Sequence, residues 1–118
     1  MEEKKTIVLD FDGVIHSYIS GWKGADCIPD PPLPYVKEAV DILRHEGYEV
    51  VIWSTRCTYP LGRQAIKDWL KKWDIEVDSM IAVRPPCICF VDDRAITFKG
   101  DWRQTMIDIL DFKSYLDK

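Results

Sequence analysis

The sequence predicts an α/β domain in which helices cover a central parallel sheet. Short apolar runs rich in β-branched residues alternate along the chain with longer segments whose apolar residues recur at helical spacing. Continuous apolar runs are typical of strands buried on both faces, and the alternation favours parallel strands joined by right-handed crossovers. The 118 residues, 47% of them hydrophobic, suffice for one core, so a single domain over residues 1–118 is expected.

The first half of the chain predicts a strand, a long loop and a helix. The apolar run over residues 6–9 ends at Asp10 and reads as a central strand. Residues 16–34 are rich in Gly and Pro, which discourage regular structure, so a loop is expected there. Apolar residues at helical spacing predict a helix over residues 35–45, with Gly47 following where a C-cap would lie.

The second half of the chain predicts three strands and two helices. Strands are expected over residues 48–53, 79–83 and 88–91, and helices over residues 61–73 and 102–110. The apolar spacing of the last helix predicts a buried face made by Met106, Ile107 and Leu110. Four tryptophans are also expected in the core: Trp53, Trp69, Trp73 and Trp102. Trp22 in the long loop could either cover a substrate or pack down.

Charge and composition exclude several classes of protein. A formal net charge of -4 argues against tight, sequence-blind binding to long nucleic acid. No run approaches the roughly 18 apolar residues that span a bilayer, and the charged start is unlike a secretory signal, so a cytoplasmic protein without a membrane partner is expected. The cysteines contain no C-x₂-C pair and are expected to be free thiols rather than zinc ligands or disulfides.

Polar residues follow three of the predicted strands where they end. They are Asp10 and Asp12, Ser54 and Thr55, and Asp92 and Asp93. Function gathers at the carboxyl ends of parallel strands, so these side chains are expected to converge. Aspartates often only cap helices or end strands, but two acidic pairs at one sheet edge favour a site. An all-oxygen, strongly negative site suits Mg²⁺, and Gly13 would turn the chain so that backbone N–H groups approach an anion.

These residues resemble three motifs of the haloacid dehalogenase-like superfamily. The sequence DFDGV at residues 10–14 resembles motif I, and Ser54 after a strand resembles motif II. The acidic pair at residues 92–93 resembles motif IV. In order and spacing the resemblance covers most of the chain. It implies a three-layer α/β/α, Rossmann-like fold, with Asp10 as a nucleophile that forms an aspartyl-phosphate and Asp12 as the general acid/base.

The resemblance also implies a metal ion and a phosphate site. Mg²⁺ would be held by the Asp10 carboxylate, the main-chain carbonyl of Asp12 and the carboxylate of Asp92, with Asp93 in support. Ser54 would donate its hydroxyl to the phosphoryl group, with Thr55 beside it.

Arginines make the clearest departure from the superfamily's pattern. Motif III normally supplies a lysine, but this chain has Arg84 there, which can grip a phosphate or lie on the surface of a proline turn. Arg56 and Arg94 follow motif residues, so they could bind a second phosphate or a substrate carboxylate, or pair with the aspartates. His16 could touch substrate, although solvation is the favoured interpretation.

The size of the chain bears on the substrate. No cap domain is present, and residues 16–34 could form only a flap. The resemblance is therefore to capless phosphatases, whose members often act on phosphates attached to macromolecules, including nucleic-acid ends. The expected substrate of this chain is a phosphorylated small molecule or nucleic-acid end, and a homo-oligomer could supply a lid. Two alternatives stay open: a metal-dependent nuclease or phosphotransferase, and a non-catalytic phosphate- or nucleotide-binding module. Retention of both Asp10 and Asp12 argues against the binding module, because binding alone needs no general acid.

Overall fold

The computed structural model describes residues 5–112 and contains all seven predicted elements. The strands are β1 (Thr6–Asp10), β2 (Glu49–Trp53), β3 (Ser79–Ile81) and β4 (Cys89–Val91), and the helices are α1 (Val36–His45), α2 (Pro60–Lys72) and α3 (Trp102–Leu110). A short 3₁₀ helix, Thr55–Thr58, lies between β2 and α2. Residues 1–4, which include most of the charged start, and residues 113–118 lie outside the described part, so expectations about them stay predictions.

The four strands form one parallel sheet in the order β3-β2-β1-β4. β1 is central and pairs with both β2 and β4, with Asp10 beside Trp53 and Leu9 beside Val91. This confirms the α/β class with a central parallel sheet. The carboxyl end of β1 therefore lies between the ends of two neighbouring strands.

The main core lies on the face of the sheet that α1 and α2 cover. The steps from β1 to β2 and from β2 to β3 run in the same direction, so right-handed crossovers place both helices on one face. The sheet residues of this core are Ile7, Leu9, Val50, Ile52 and Met80, and the helices contribute Val40, Ile66, Trp69 and Leu70. On the opposite face, Val8 and Val51 are also fully buried.

The packing of α3 differs from the sequence prediction. Thr105 is its one buried residue, whereas Met106, Ile107 and Leu110 are each at least half exposed. Trp102 is 66% exposed, so its expected place in the core is wrong, while Trp69 is buried as predicted. Helical spacing predicts an amphipathic helix but not whether an element lies against it, and α3 follows an edge strand.

Two further observations concern the whole described range. No helix within it is long and apolar enough to cross a membrane. The cysteines in it are free thiols, at positions 27, 57, 87 and 89.

Candidate active site

The carboxyl ends of the central strands surround a small cavity. It is lined by Asp10, Asp12, Tyr18, Trp22, Trp53, Ser54, Thr55 and Arg94. Its volume is about 140 Å³, below the roughly 300–1,000 Å³ of sites that enclose a whole drug-sized ligand. Two larger cavities, of about 500 and 410 Å³, lie along α2 and contain none of the strand-end aspartates of β1 and β4. The candidate catalytic residues Asp10 and Asp12 line the small cavity, which has room for one small charged group.

Three carboxylates meet at Asp10, which lines this cavity, and we call them the acidic cluster: Asp10, Asp92 and Asp93. One oxygen from each lies within 4.8 Å of the others. Asp10 ends β1, and the other two follow β4, its hydrogen-bonded neighbour in the sheet. Parallel pairing therefore brings together the residues that the sequence predicted would converge.

Asp10 is the most deeply buried member of the acidic cluster. Its side chain accepts a hydrogen bond through Oδ1 from the backbone N–H of Phe11 at 2.9 Å. Oδ2 is buried and has no hydrogen-bond partner among the described residues. Burial, followed by the negative charge of Asp92, raises the pKa of Asp10 from 3.8 to about 7. An arrangement of this kind needs either a proton or a cation beside Asp10.

The donor set fits a hard divalent cation. All three potential ligand atoms are carboxylate oxygens, which Mg²⁺ prefers, and an ion there would satisfy Oδ2 of Asp10. The side chain of Asp12 does not belong to the acidic cluster. Participation of its main-chain carbonyl stays a prediction.

Asp12 is instead held by an arginine that is completely buried. Arg56 donates from Nε to Oδ2 of Asp12 at 2.9 Å and from Nη2 to Oδ1 at 3.1 Å, a bidentate pair. Its Nη1 donates to three carbonyl oxygens of the long loop, those of Gly24, Ala25 and Cys27. Of the two roles open for Arg56, the structure selects pairing with an aspartate.

His16 lies on the other side of Asp12 and is also completely buried. Its Nδ1 is 2.9 Å from Oδ1 of Asp12, and its Nε2 accepts from the backbone N–H of Asp30 at 3.2 Å. We therefore assign the hydrogen to Nδ1, which donates it to Asp12. The ring also stacks on Phe11, with centroids 5.7 Å apart. The interpretation of His16 as a solvated loop residue is wrong.

Asp30 completes a second group, the buried ion-pair cluster, defined as Asp12, His16, Asp30 and Arg56. The Asp30 carboxylate accepts from the backbone N–H of Ser20 at 2.7 Å and from its hydroxyl at 2.6 Å. These hydrogen bonds lower the pKa of Asp30. Burial alone would raise the pKa of Asp12, but hydrogen bonds from His16 and Arg56 outweigh it and lower that pKa. Both carboxylates are ionised at neutral pH.

The long loop over residues 16–34 is tied to the rest of the domain along its length. Besides the contacts of Arg56, the backbone N–H of Leu33 donates to the carbonyl of Ile15, and within the loop the N–H of Ser17 donates to the carbonyl of Pro31. The indole N–H of Trp69 in the core donates to the Asp30 carbonyl at 2.9 Å. These contacts make the loop a packed wall of the cavity, where the sequence led us to expect a flap.

The expected phosphate-binding residues Ser54, Thr55 and Gly13 differ in whether they line the cavity with a group that can still donate a hydrogen bond. Ser54 is buried at the cavity, and its Oγ accepts from the backbone N–H of Arg56 at 3.2 Å, which leaves the hydroxyl hydrogen to donate. Thr55 lines the cavity beside it. Gly13 makes the expected sharp turn with φ +84°, but its N–H donates to the carbonyl of His16 at 2.9 Å. The expectation that the Gly13 amide binds an anion is therefore wrong.

Of the two remaining arginines, Arg94 lines the cavity and Arg84, the expected phosphate-binding residue, does not. Arg84 does not line the cavity, and its guanidinium stacks 3.5 Å from the ring centroid of Phe90 and 4.9 Å from that of Trp53. Arg94 does line the cavity. A turn places it there, because its backbone N–H donates to Oδ1 of Asp92 at 2.8 Å. The cation at the cavity wall is thus a residue whose role the sequence left open.

Comparison with known proteins supports the fold. No family model matches the chain, and no curated protein does. A solved structure of a conserved protein from Bacteroides thetaiotaomicron is similar, with a TM-score of 0.57, 23% sequence identity, and coverage of 98% of this chain and 97% of that one. At this identity the likeness shows the shared α/β fold alone.

Proposed function

We propose that this chain is a Mg²⁺-dependent phosphomonoesterase of the haloacid dehalogenase-like superfamily that acts through an aspartyl-phosphate on Asp10. The observation that carries the proposal is the acidic cluster, in which buried Asp10 has an oxygen without a hydrogen-bond partner among the described residues. A protein that used Asp10 only to end a strand would leave that oxygen solvated or hydrogen-bonded. The motifs at residues 10–14, 54 and 92–93 support the same assignment.

Each residue of the cavity has a different role in the proposed reaction. A bound Mg²⁺ would neutralise the charge that otherwise repels an anionic substrate from the carboxylates. An Asp10 oxygen bonds to phosphorus as the ester oxygen leaves, and water then hydrolyses the acyl phosphate and regenerates Asp10. The hydroxyl of Ser54 and the guanidinium of Arg94 hold the phosphoryl oxygens in the cavity.

Asp12 is better suited to the second step than to the first. It lies at the cavity wall with its pKa lowered by His16 and Arg56, so it is ionised when substrate arrives. An ionised carboxylate can accept a proton from the water that attacks the acyl phosphate, whereas protonation of a leaving oxygen needs an acid that already holds a proton. Esters with good leaving groups should accordingly react fastest.

One observation favours a second candidate, the non-catalytic phosphate-binding module. Both oxygens of Asp12 are already hydrogen-bonded, to Arg56 and His16. If those hydrogen bonds persist when substrate is bound, Asp12 accepts no proton from water. Its role is then to hold Arg56, which anchors the long loop. Binding of a phosphate group would still use Ser54, Arg94 and the acidic cluster.

Release of inorganic phosphate decides between the two candidates. A panel of phosphomonoesters, including p-nitrophenyl phosphate and oligonucleotides phosphorylated at either end, is incubated with Mg²⁺ or with EDTA. We expect Mg²⁺-dependent release that falls to background in Asp10→Asn and is retained in Asp68→Asn, a matched change on the exposed surface of α2. Release by Asp10→Asn at the wild-type rate would contradict the nucleophile. Mg²⁺ binding without release from any substrate would favour the binding module.

A further inference from the structure

Trp22 has a position that neither the fold nor the proposed chemistry requires. Its side chain lines the same cavity as Asp10 and Ser54 but is 52% exposed. One face of its ring is covered, because the guanidinium carbon of Arg56 lies 4.5 Å from the ring centroid. An exposed tryptophan is thus fixed at the rim of a site that has room for little more than a phosphoryl group.

One face of the indole is supported before any ligand arrives. Arg56 is held in place beneath it, since its guanidinium is bound to Asp12 and to three loop carbonyls. The chain before Trp22 turns sharply at Gly21, whose φ is +75° and whose N–H donates to the Tyr18 carbonyl at 3.2 Å. A side chain that is ordered in advance loses little conformational entropy on binding, so its contacts add to affinity more fully.

The size of the cavity places the rest of the substrate at this rim. About 140 Å³ accommodates the phosphoryl group, and whatever is esterified to it must extend outwards past the exposed lining residues, among them Trp22. In an aryl phosphate the ring is attached directly to the ester oxygen, so it lies close to the phosphoryl group. In a nucleotide a sugar separates phosphate from base, which leaves a flat aromatic group at the distance of the rim.

We propose that Trp22 is a stacking platform for the nucleobase of a phosphorylated nucleotide. The proposal rests on the proposed function, because it takes the cavity as the phosphate site. The base stacks on Trp22 and Trp22 stacks on Arg56, so three flat groups lie one above another. The same base chemistry is offered by a free mononucleotide and by the phosphorylated end of a short strand.

The test compares a nucleotide with its base-free counterpart. Values of kcat/KM are measured for adenosine monophosphate and for ribose 5-phosphate, and we expect the wild type to prefer the nucleotide. Trp22→Leu should narrow that preference by about five- to 150-fold, the range to which a stacking energy of about 1–3 kcal/mol converts. Trp22→Phe should keep most of it, and Trp102→Leu, an exposed tryptophan on α3, should leave it unchanged. An end-phosphorylated oligonucleotide preferred over the mononucleotide would identify a strand end as the source of the base.

The outcomes separate this proposal from the proposed function. Phosphate release with an unchanged preference in Trp22→Leu would overturn the platform and leave the phosphatase standing. If no substrate is hydrolysed, calorimetric titration of Asp10→Asn with the same two ligands decides. Tighter binding of adenosine monophosphate that is lost in Asp10→Asn/Trp22→Leu supports the platform, and equal or undetectable binding of both ligands overturns it.

Discussion

Asp10 and Asp12 are two residues apart at the end of the same strand, yet they belong to opposite kinds of site. Both are buried, with 7% and 9% of their surface exposed. Asp10 belongs to the acidic cluster, where its pKa is raised to about 7, whereas Asp12 belongs to the buried ion-pair cluster, where its pKa is lowered. Because their burial is nearly equal, the difference comes from their partners.

The comparison shows how structural and functional charges can be told apart. The charge of Asp12 is compensated from within the chain by Arg56 and by a hydrogen bond from His16. In the acidic cluster, Oδ2 of Asp10 is buried without a hydrogen-bond partner among the described residues, and a cation from solution would satisfy it. A charge satisfied within the chain stabilises the fold, and the unsatisfied Oδ2 of Asp10 supports the proposed cation site.

The largest expected effect comes from removing the internal cation. Arg56→Met leaves the buried carboxylate of Asp12 without its cation and the long loop without its anchor, which should lower the free energy of unfolding by about 3–5 kcal/mol. Urea denaturation followed by circular dichroism measures this. Arg103→Met, on the exposed surface of α3, is the matched control and should change little. A loss below about 1 kcal/mol would show that the ion pair is not structural.

The acidic cluster should show the opposite pH dependence to Asp12. Between pH about 4 and 7 the folded, metal-free protein holds a proton on Asp10 that the unfolded chain has lost, so its free energy of unfolding falls as the pH rises. The shift from 3.8 to about 7 corresponds to a loss on the order of 4 kcal/mol at 1.36 kcal/mol per unit. The pKa of Asp12 is lowered, so the stability that its ionised form contributes is lost only as the pH falls below 3.8, the usual pKa of an aspartate.

Urea denaturation in EDTA at a mildly acidic and a mildly alkaline pH checks this expectation. Asp10→Asn, which does not titrate, should lose stability less steeply with pH than the wild type does. Asp68→Asn should behave as the wild type. Parallel pH profiles for the wild type and Asp10→Asn would refute the raised pKa.

A smaller effect is expected from Ser20, which donates a hydrogen bond to Asp30 of the buried ion-pair cluster. Ser20→Ala removes the 2.6 Å hydrogen bond to Asp30 and should cost about 1.5–3 kcal/mol, the usual range for hydrogen bonds to charged groups. Ser17→Ala is a close control, since the buried hydroxyl of Ser17 has no hydrogen-bond partner among the described residues. Thermal unfolding of the two variants should separate them clearly. Equal stability would mean that the hydroxyl of Ser20 contributes nothing to holding Asp30.

The sequence predicts the sheet and the acidic cluster because both follow from local patterns. Apolar runs mark the strands, and parallel pairing of β1 with β4 then brings Asp10 close to Asp92 and Asp93. The buried ion-pair cluster does not follow in this way. His16 and Asp30 come from the long loop and Arg56 from the short 3₁₀ helix, and their contacts depend on how the loop folds back over the sheet.

A weak signal for Arg56 is nevertheless present. A charged residue three positions after a buried strand, at the sheet edge where two acidic motifs are predicted to converge, is a candidate for internal pairing, and the sequence alone left that option equal to substrate binding. The errors at Gly13 and α3 have a different origin. Each pattern predicts the local conformation correctly, but the partner of the Gly13 amide and the exposure of Met106 depend on tertiary contacts.

The most direct test of the difference between the two clusters is calorimetric titration of the metal-free protein with Mg²⁺ at mildly alkaline pH. We expect saturable binding by the wild type and by Asp68→Asn, and loss of binding in Asp10→Asn and Asp92→Asn. Arg103→Met, which lies outside both clusters, should bind as the wild type does. Absence of binding by the folded wild type, or undiminished binding by Asp10→Asn, would contradict the assignment of the acidic cluster as the cation site.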